Sequence, residues 1–150
     1  MRHTQLHTEY RAMVADLLAD CTVRSMSQYI QHGRTTTYRH SLMVSFLSYK
    51  LCRFLRFRRN LRSVARAALL HDFFLYDWHI PSSHSGLHGF RHPRTALENA
   101  RRHFPLNELE ENIIYSHMWP LTLRQLPLSR EAVVVCLVDK YCSLLETLRR

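Results

Sequence analysis

Apolar residues recur at helical spacing along most of the chain, and the breaks between runs predict where helices start and stop. Residues 5–20 carry one such run. Residues 23–32 predict a shorter second helix, stopped at His32-Gly33 by the glycine. Thr36 or Thr37 is placed to cap a third helix that runs to about Arg56, with Leu42, Val44, Phe46, Leu47 and Leu51 inside it. Asn60 stands where a fourth, LRSVARAALLHDFFL, needs its N-cap. The pattern then fails over YDWHIPSSHSGLHGFRHP, which is rich in serine, glycine, proline and histidine and predicts a long loop. Pro93 suits the first turn of a fifth helix, RTALENARRHF. Asn107 with Glu110 has the spacing of a capping box for a sixth, ELEENIIYSH, which Pro120 ends. Ser129 caps the last, REAVVVCLVDKYCSLLETL. AVVVCLV alone also suits a buried strand, but the helical pattern around it outweighs that reading. The expectation is an all-α fold in which residues 1–150 form a single domain around one core.

Against this pattern, a few polar residues fall on apolar faces. His40 shares its face with Met43, Val44 and Leu47, and His71 shares its own with Val64, Ala67 and Ala68. Asp139 lies with Ala132, Val135, Cys136 and Cys142. Asp72 follows His71 directly, at the end of the most apolar helix. One histidine facing a core is more often hydrogen-bonded than metallated, and one buried aspartate more often caps a helix. Four such groups on three helices are harder to satisfy separately, because burying a carboxylate costs several kcal/mol unless it is paired or bound to a metal. A shared divalent cation satisfies all four. Imidazole and carboxylate suit Mn, Fe, Zn, Ni and similar ions.

The net charge of +9 favours anionic partners: phosphorylated small molecules, nucleotides, nucleic acid or an acidic protein. Arginines cluster among apolar residues in RFLRFRRNLR, which could grip a nucleic-acid backbone, but a solvated helix end is the favoured reading. The four cysteines show no metal-binding spacing and read as reduced, buried small hydrophobes. No apolar run approaches the roughly 18 residues of a membrane span, and MRHTQLHTEYRAMV has no apolar signal region. The expected setting is the cytoplasm, with no membrane partner.

The order of these residues identifies a family. His40 in YRHSLMVSFLSYKL, the pair His71–Asp72 in AALLHD, and Asp139 in VCLVDKYCSLLE resemble the H…HD…D signature of the HD-domain metal-dependent phosphohydrolase superfamily, over about Gln31 to Glu146. The resemblance implies an all-α HD-domain bundle with its metals at the centre. It also extends the ligand set. His92, in HGFRHPRTALENA, and His117, in NIIYSHMWPL, stand where the small six-ligand, two-metal members hold a second ion. His40, His71 and Asp139 would then hold one ion, His92 and His117 the other, and Asp72 would bridge them. His88 is the rival to His92, which is favoured because it immediately precedes the expected helix. The implied cofactor is a pair of divalent transition-metal ions, Mn or Fe first, with Zn, Ni or Co also suited to the donors.

The resemblance further implies hydrolysis of a phosphoanhydride or phosphodiester in a phosphorylated small molecule, nucleotides being the leading candidates, with Asp72 as a catalytic residue. One departure stands out. Many hydrolytic members read HD-x-x-K, and that lysine position is Leu75 here. Arg34 in QHGRTTTYRH is the favoured replacement for its charge, ahead of Lys140 and Arg91. Two other classes share the ligand pattern: a non-catalytic nucleotide-binding module, and an HD-fold oxygenase built on two irons. Oligomeric state is not written in the sequence.

Overall fold

The computed structural model describes residues 3–80 and 87–148, and its N-terminal run is split in two. Helix α1 (His3–Met13) gives way to α2 (Ala15–Ala19) at Val14, whose backbone leaves the helical region. Asp20 then caps α3 (Cys21–Ser25) by accepting from the amides of Thr22 and Val23. The expected second helix over 23–32 does not run its length. A single 3-10 turn (Met26–Gln28) leads instead into strand β1 (Ile30–His32), which pairs antiparallel with β2 (Thr35–Thr36). Gly33 at φ 57° makes the reversal, a conformation that costs glycine little, and the β-branched threonines suit the returning strand. This small ribbon is the one strand feature among the described residues, and the fold is otherwise all-α.

Thr36 caps α4 (Thr37–Phe54) through its hydroxyl, as expected. After a 3-10 turn (Arg58–Asn60) comes α5 (Leu61–Leu70), buried along its whole length apart from Arg62 and Ser63. Asn60 precedes it but caps nothing with its side chain; its amide donates to Glu131 instead. The helix stops at Leu70 rather than running on to Leu75. His71 to Phe74 form turns, and Leu75 at φ 60° ends the segment in the left-handed region. Of the long loop, residues 81–86 lie outside the described residues.

Helix α6 (His88–His103) begins before Pro93, which sits in its second turn rather than its first. Proline has no N–H to offer the helix. The ring of His92 donates to the His88 carbonyl at 3.0 Å, so this early turn is held by a side chain. Helix α7 (Glu108–Ser116) opens with the full capping box between Asn107 and Glu110. Helix α8 (Arg130–Leu148) is capped by the Ser129 hydroxyl.

The bundle is built around α5, with α4, α7 and α8 packed against it. Leu69, Leu70, Ile113, Ile114 and Val135 are fully buried. Truncating a leucine such as Leu70 to alanine would cost about 2–5 kcal/mol. A buried ion pair ties three helices together here. The Arg66 guanidinium donates to Glu110 at 3.1 Å and to Asp16, joining α5 to α7 and α2. The four cysteines are unpaired, and Cys21 differs from the rest in being exposed. Among the described residues no helix is long and apolar enough to cross a membrane.

Candidate metal centre

Six side chains from five parts of the chain meet where α4, α5, α6, α7 and α8 converge. His40 comes from α4, His71 and Asp72 from the end of α5, His92 from α6, His117 from just past α7, and Asp139 from α8. All six are buried. Each histidine is oriented by its Nδ1. That nitrogen meets the carbonyl of Ala68 in His71 (2.8 Å), of His88 in His92 (3.0 Å) and of Ile114 in His117 (2.8 Å). In His40 it meets Glu146 Oε2 at 2.9 Å. A carbonyl or carboxylate can only accept, so every Nδ1 carries the proton and every neutral ring turns a bare Nε2 lone pair inward.

Those lone pairs face other acceptors. His40 Nε2 lies 3.1 Å from Asp139 Oδ1, and His92 Nε2 lies 2.8 Å from His117 Nε2. His71 Nε2 is 3.1 Å from Asp72 Oδ2, yet neither it nor Asp72 Oδ1 makes an aligned hydrogen bond. A buried polar atom left this way costs about 1–3 kcal/mol. Nitrogen and oxygen lone pairs aimed at one another across 3 Å fit a divalent cation, which replaces those repulsions with bonds. Three groups of ligand atoms are close enough to share an ion: His40, His71 and Asp72; His71, His117 and Asp139; and Asp72, His92 and His117.

In the absence of an ion, protons take over part of that role. Burial lowers His40, but hydrogen bonds to Asp139 and Glu146 outweigh it and push its pKa up to about 9. His71 is likewise raised despite burial, by the charge of Asp72 above all. Burial raises both Asp72 and Asp139, but the adjoining His71 and His92 together hold Asp72 well below the usual carboxylate range, and His40 and His71 together do the same for Asp139. His117 goes the other way. Burial, then the neighbouring charges of His71 and His92, push it down to about 3.

The model of the HD domain matches residues 37–144. The chain belongs to the HD domain family. HD domains bind divalent metals and are in general metal-dependent phosphohydrolases, so the buried His/Asp clusters of this chain lie in a fold that holds such ions. No curated protein and no solved structure matches the chain.

Beside these clusters the HD fold leaves a cavity of about 320 Å³. Asp72, His92, His117 and Asp139 form its floor; Gln31, His32, Trp78, His88, Met118, Leu121, Lys140 and Ser143 contribute to its walls. His88 is thus a wall residue and belongs to none of the three ligand groups. Its ring stacks on His92 (centroids 4.5 Å apart) and on Trp78 (5.1 Å), and Trp78 in turn lies against His79 (3.9 Å). The Trp78 indole therefore has two ring neighbours. Lys140 lies at the rim. Arg34 is exposed on the turn of the β1–β2 ribbon and is not part of the cavity wall. Leu75 packs half-buried against the core.

Two residues that matter here escaped the sequence reading. Gln31 is buried, and its amide donates to Asp72 Oδ2 at 2.6 Å while its oxygen accepts from Thr37. It sits on a three-residue strand, too short to show a period. Glu146 holds His40, and its signal was available: it lies seven residues after Asp139 on the same helical face.

Proposed function

We propose that this HD domain is a cytoplasmic phosphohydrolase or phosphodiesterase that uses two divalent ions on a nucleotide-like phosphorylated small molecule. His40, His71 and Asp139 would hold one ion, His92 and His117 the other, and Asp72 both. The observation that carries this reading is the orientation of Asp72. Its Oδ2 faces His71 and His40 (3.1 and 3.7 Å), and its Oδ1 faces His92 and His117 (3.2 and 3.6 Å). A carboxylate with one oxygen toward each histidine pair has the arrangement of a bridge. When bound, such ions polarise a phosphoryl oxygen and lower the pKa of a water to near neutrality.

The chain's own residues have separate tasks. Glu146 keeps the proton on His40 Nδ1, so that the other nitrogen stays a ligand. The carbonyls of Ala68, His88 and Ile114 do the same for the other three rings. Gln31 fixes the rotation of Asp72. Met118, Leu121 and Trp78 give the cavity an apolar wall that keeps bulk water from the reacting phosphorus. Arg34, on the ribbon that carries Gln31 and His32, is assigned to guiding the anion in. Four unpaired thiols suit a reducing compartment.

The test is a panel of nucleotides, dinucleoside polyphosphates and cyclic dinucleotides, with phosphate release followed for manganese- and iron-loaded protein. Turnover should vanish in Asp72→Ala, and Arg34→Ala should raise KM a few-fold with kcat little changed. Activity surviving in Asp72→Ala belongs to another site or another protein. No turnover, together with oxygen uptake by the iron-loaded form, moves the assignment to an oxygenase.

A further inference from the structure

The cavity wall is lopsided in charge. Among the residues that line it, Lys140 is the one lysine or arginine. Its Nζ donates to the carbonyls of His117 (3.0 Å) and Cys136 (3.3 Å), and among the described residues it makes no ion pair. An ammonium has three N–H groups, so two are spent on carbonyls and one is left. Carbonyls hold the group in place without neutralising it. The result is a pinned positive charge at the rim of a cavity whose floor includes Asp72, His92, His117 and Asp139. The rest of the wall sets the uncharged polar groups of Gln31, His88 and Ser143 beside an apolar side made by Trp78, Met118 and Leu121, with Gly89 next to Leu121. The cavity is at the small end of the range for ligand sites, about 300–1,000 Å³.

From this we propose that Lys140 and the wall around it form the subsite for a single terminal phosphoryl group on a compact molecule, a phosphomonoester of mononucleotide size or smaller. This inference rests on the phosphohydrolase reading above and narrows it. One ammonium matches one phosphoryl group. A dinucleotide, with two nucleosides, exceeds the volume. The phosphate lies between the Lys140 ammonium and the ligand clusters, and the body of the molecule lies on Met118 and Leu121. Lys140 is a binding and positioning residue: its neighbour Asp139 faces the clusters, and Lys140, one residue on, faces the rim.

The test is a titration of inorganic phosphate into manganese-loaded protein, read by calorimetry and by 31P relaxation, for the wild type, Lys140→Gln and Lys140→Arg. Lys140→Gln should bind phosphate at least tenfold more weakly with its manganese content unchanged, and Lys140→Arg should recover most of the affinity. Phenyl phosphate should displace the phosphate, and cyclic di-AMP should not. Affinity within twofold of wild type in Lys140→Gln, at full metal content, overturns the assignment of Lys140 and leaves the hydrolase reading standing. Loss of manganese from Lys140→Gln that Lys140→Arg does not repair makes the residue a structural tie between α7 and α8, and also overturns it. Equal displacement by cyclic di-AMP removes the size limit. A fully metal-loaded wild type that binds none of the three probes removes the hydrolase reading together with this one.

Discussion

Arg66 lies within α5 and His71 caps its end, five residues on. Each anchors a cluster of buried charge, but the two clusters are built differently. Arg66 brings donors to carboxylates: its guanidinium meets Glu110 and Asp16, and the network closes on itself. His71 brings an acceptor to acceptors. Its Nδ1 proton is already given to Ala68, and its free nitrogen joins three other imidazoles and two aspartates that also lack protons to share. Buried charge alone therefore does not mark a functional site in this bundle. The mark is an excess of lone pairs, which bound protons match only in part and a divalent cation can match in full.

The contrast can be broken most forcefully at Arg66. Arg66→Ala strands the buried Glu110 carboxylate and should lower the unfolding free energy by about 3–5 kcal/mol in denaturant titrations. Metal content per folded chain should not change. A matching loss of metal would make the two clusters one network. At the other cluster, His92→Ala or His117→Ala should cut the metal from about two ions per chain to about one by elemental analysis, with the fold retained. Two ions retained in both variants would mean that the second site is held by other residues. A subtler change is Glu146→Gln, which leaves all six candidate ligands in place and alters only what holds His40. Metal affinity should weaken about tenfold to a hundredfold, as for other partners of ligating histidines, with the saturating stoichiometry unchanged.

The mildest perturbation is pH. In metal-free protein the His40 pKa is raised to about 9, so its protonated form stabilises the fold fully below about 6.5, its ordinary value, and this contribution fades as pH rises through 9. The melting temperature of chelated protein should therefore fall from pH 7 to pH 9.5. Metal-loaded protein has no such proton to lose and should melt at nearly constant temperature over that window. Parallel curves for the two forms would separate His40 from the metal.

Much of this site could be seen in the sequence because it is written in helical periodicity. His40, His71 and Asp139 each interrupt an apolar face, and the capping signals at Thr36, Asn107 and Ser129 fall where the helices begin. His92 and His117 came from family resemblance alone. The structure brings both to Asp72, but no local pattern points there. The misreadings have two causes: a tertiary contact drew a capping side chain away, or a neighbouring residue overrode the helical spacing. Asn60 turns to Glu131 instead of its own helix, and His92 secures a turn ahead of Pro93. Gln31 was taken for helix because the apolar residues near it have helical spacing, whereas Gly33 and the threonines draw the segment into a ribbon. Arg66 sits in the open within VARAALL, yet its partners are 44 and 50 residues away and leave no spacing to read.

The rings of His92, His88 and Trp78 are stacked in sequence away from the candidate metal centre along the cavity wall, and His79 lies tilted against Trp78. Such a stack has a thermodynamic consequence. An ion that fixes His92 also restricts His88 and, through it, the Trp78 segment that walls the cavity, so part of the entropy cost of ordering that wall is already met when an organic ligand arrives. Linkage is reciprocal: whatever factor the ion adds to ligand affinity, the ligand must add to ion affinity. If His92 holds an ion as proposed, a metal affinity measured on the empty cavity is a lower bound, and metal should bind most tightly with a ligand in the cavity.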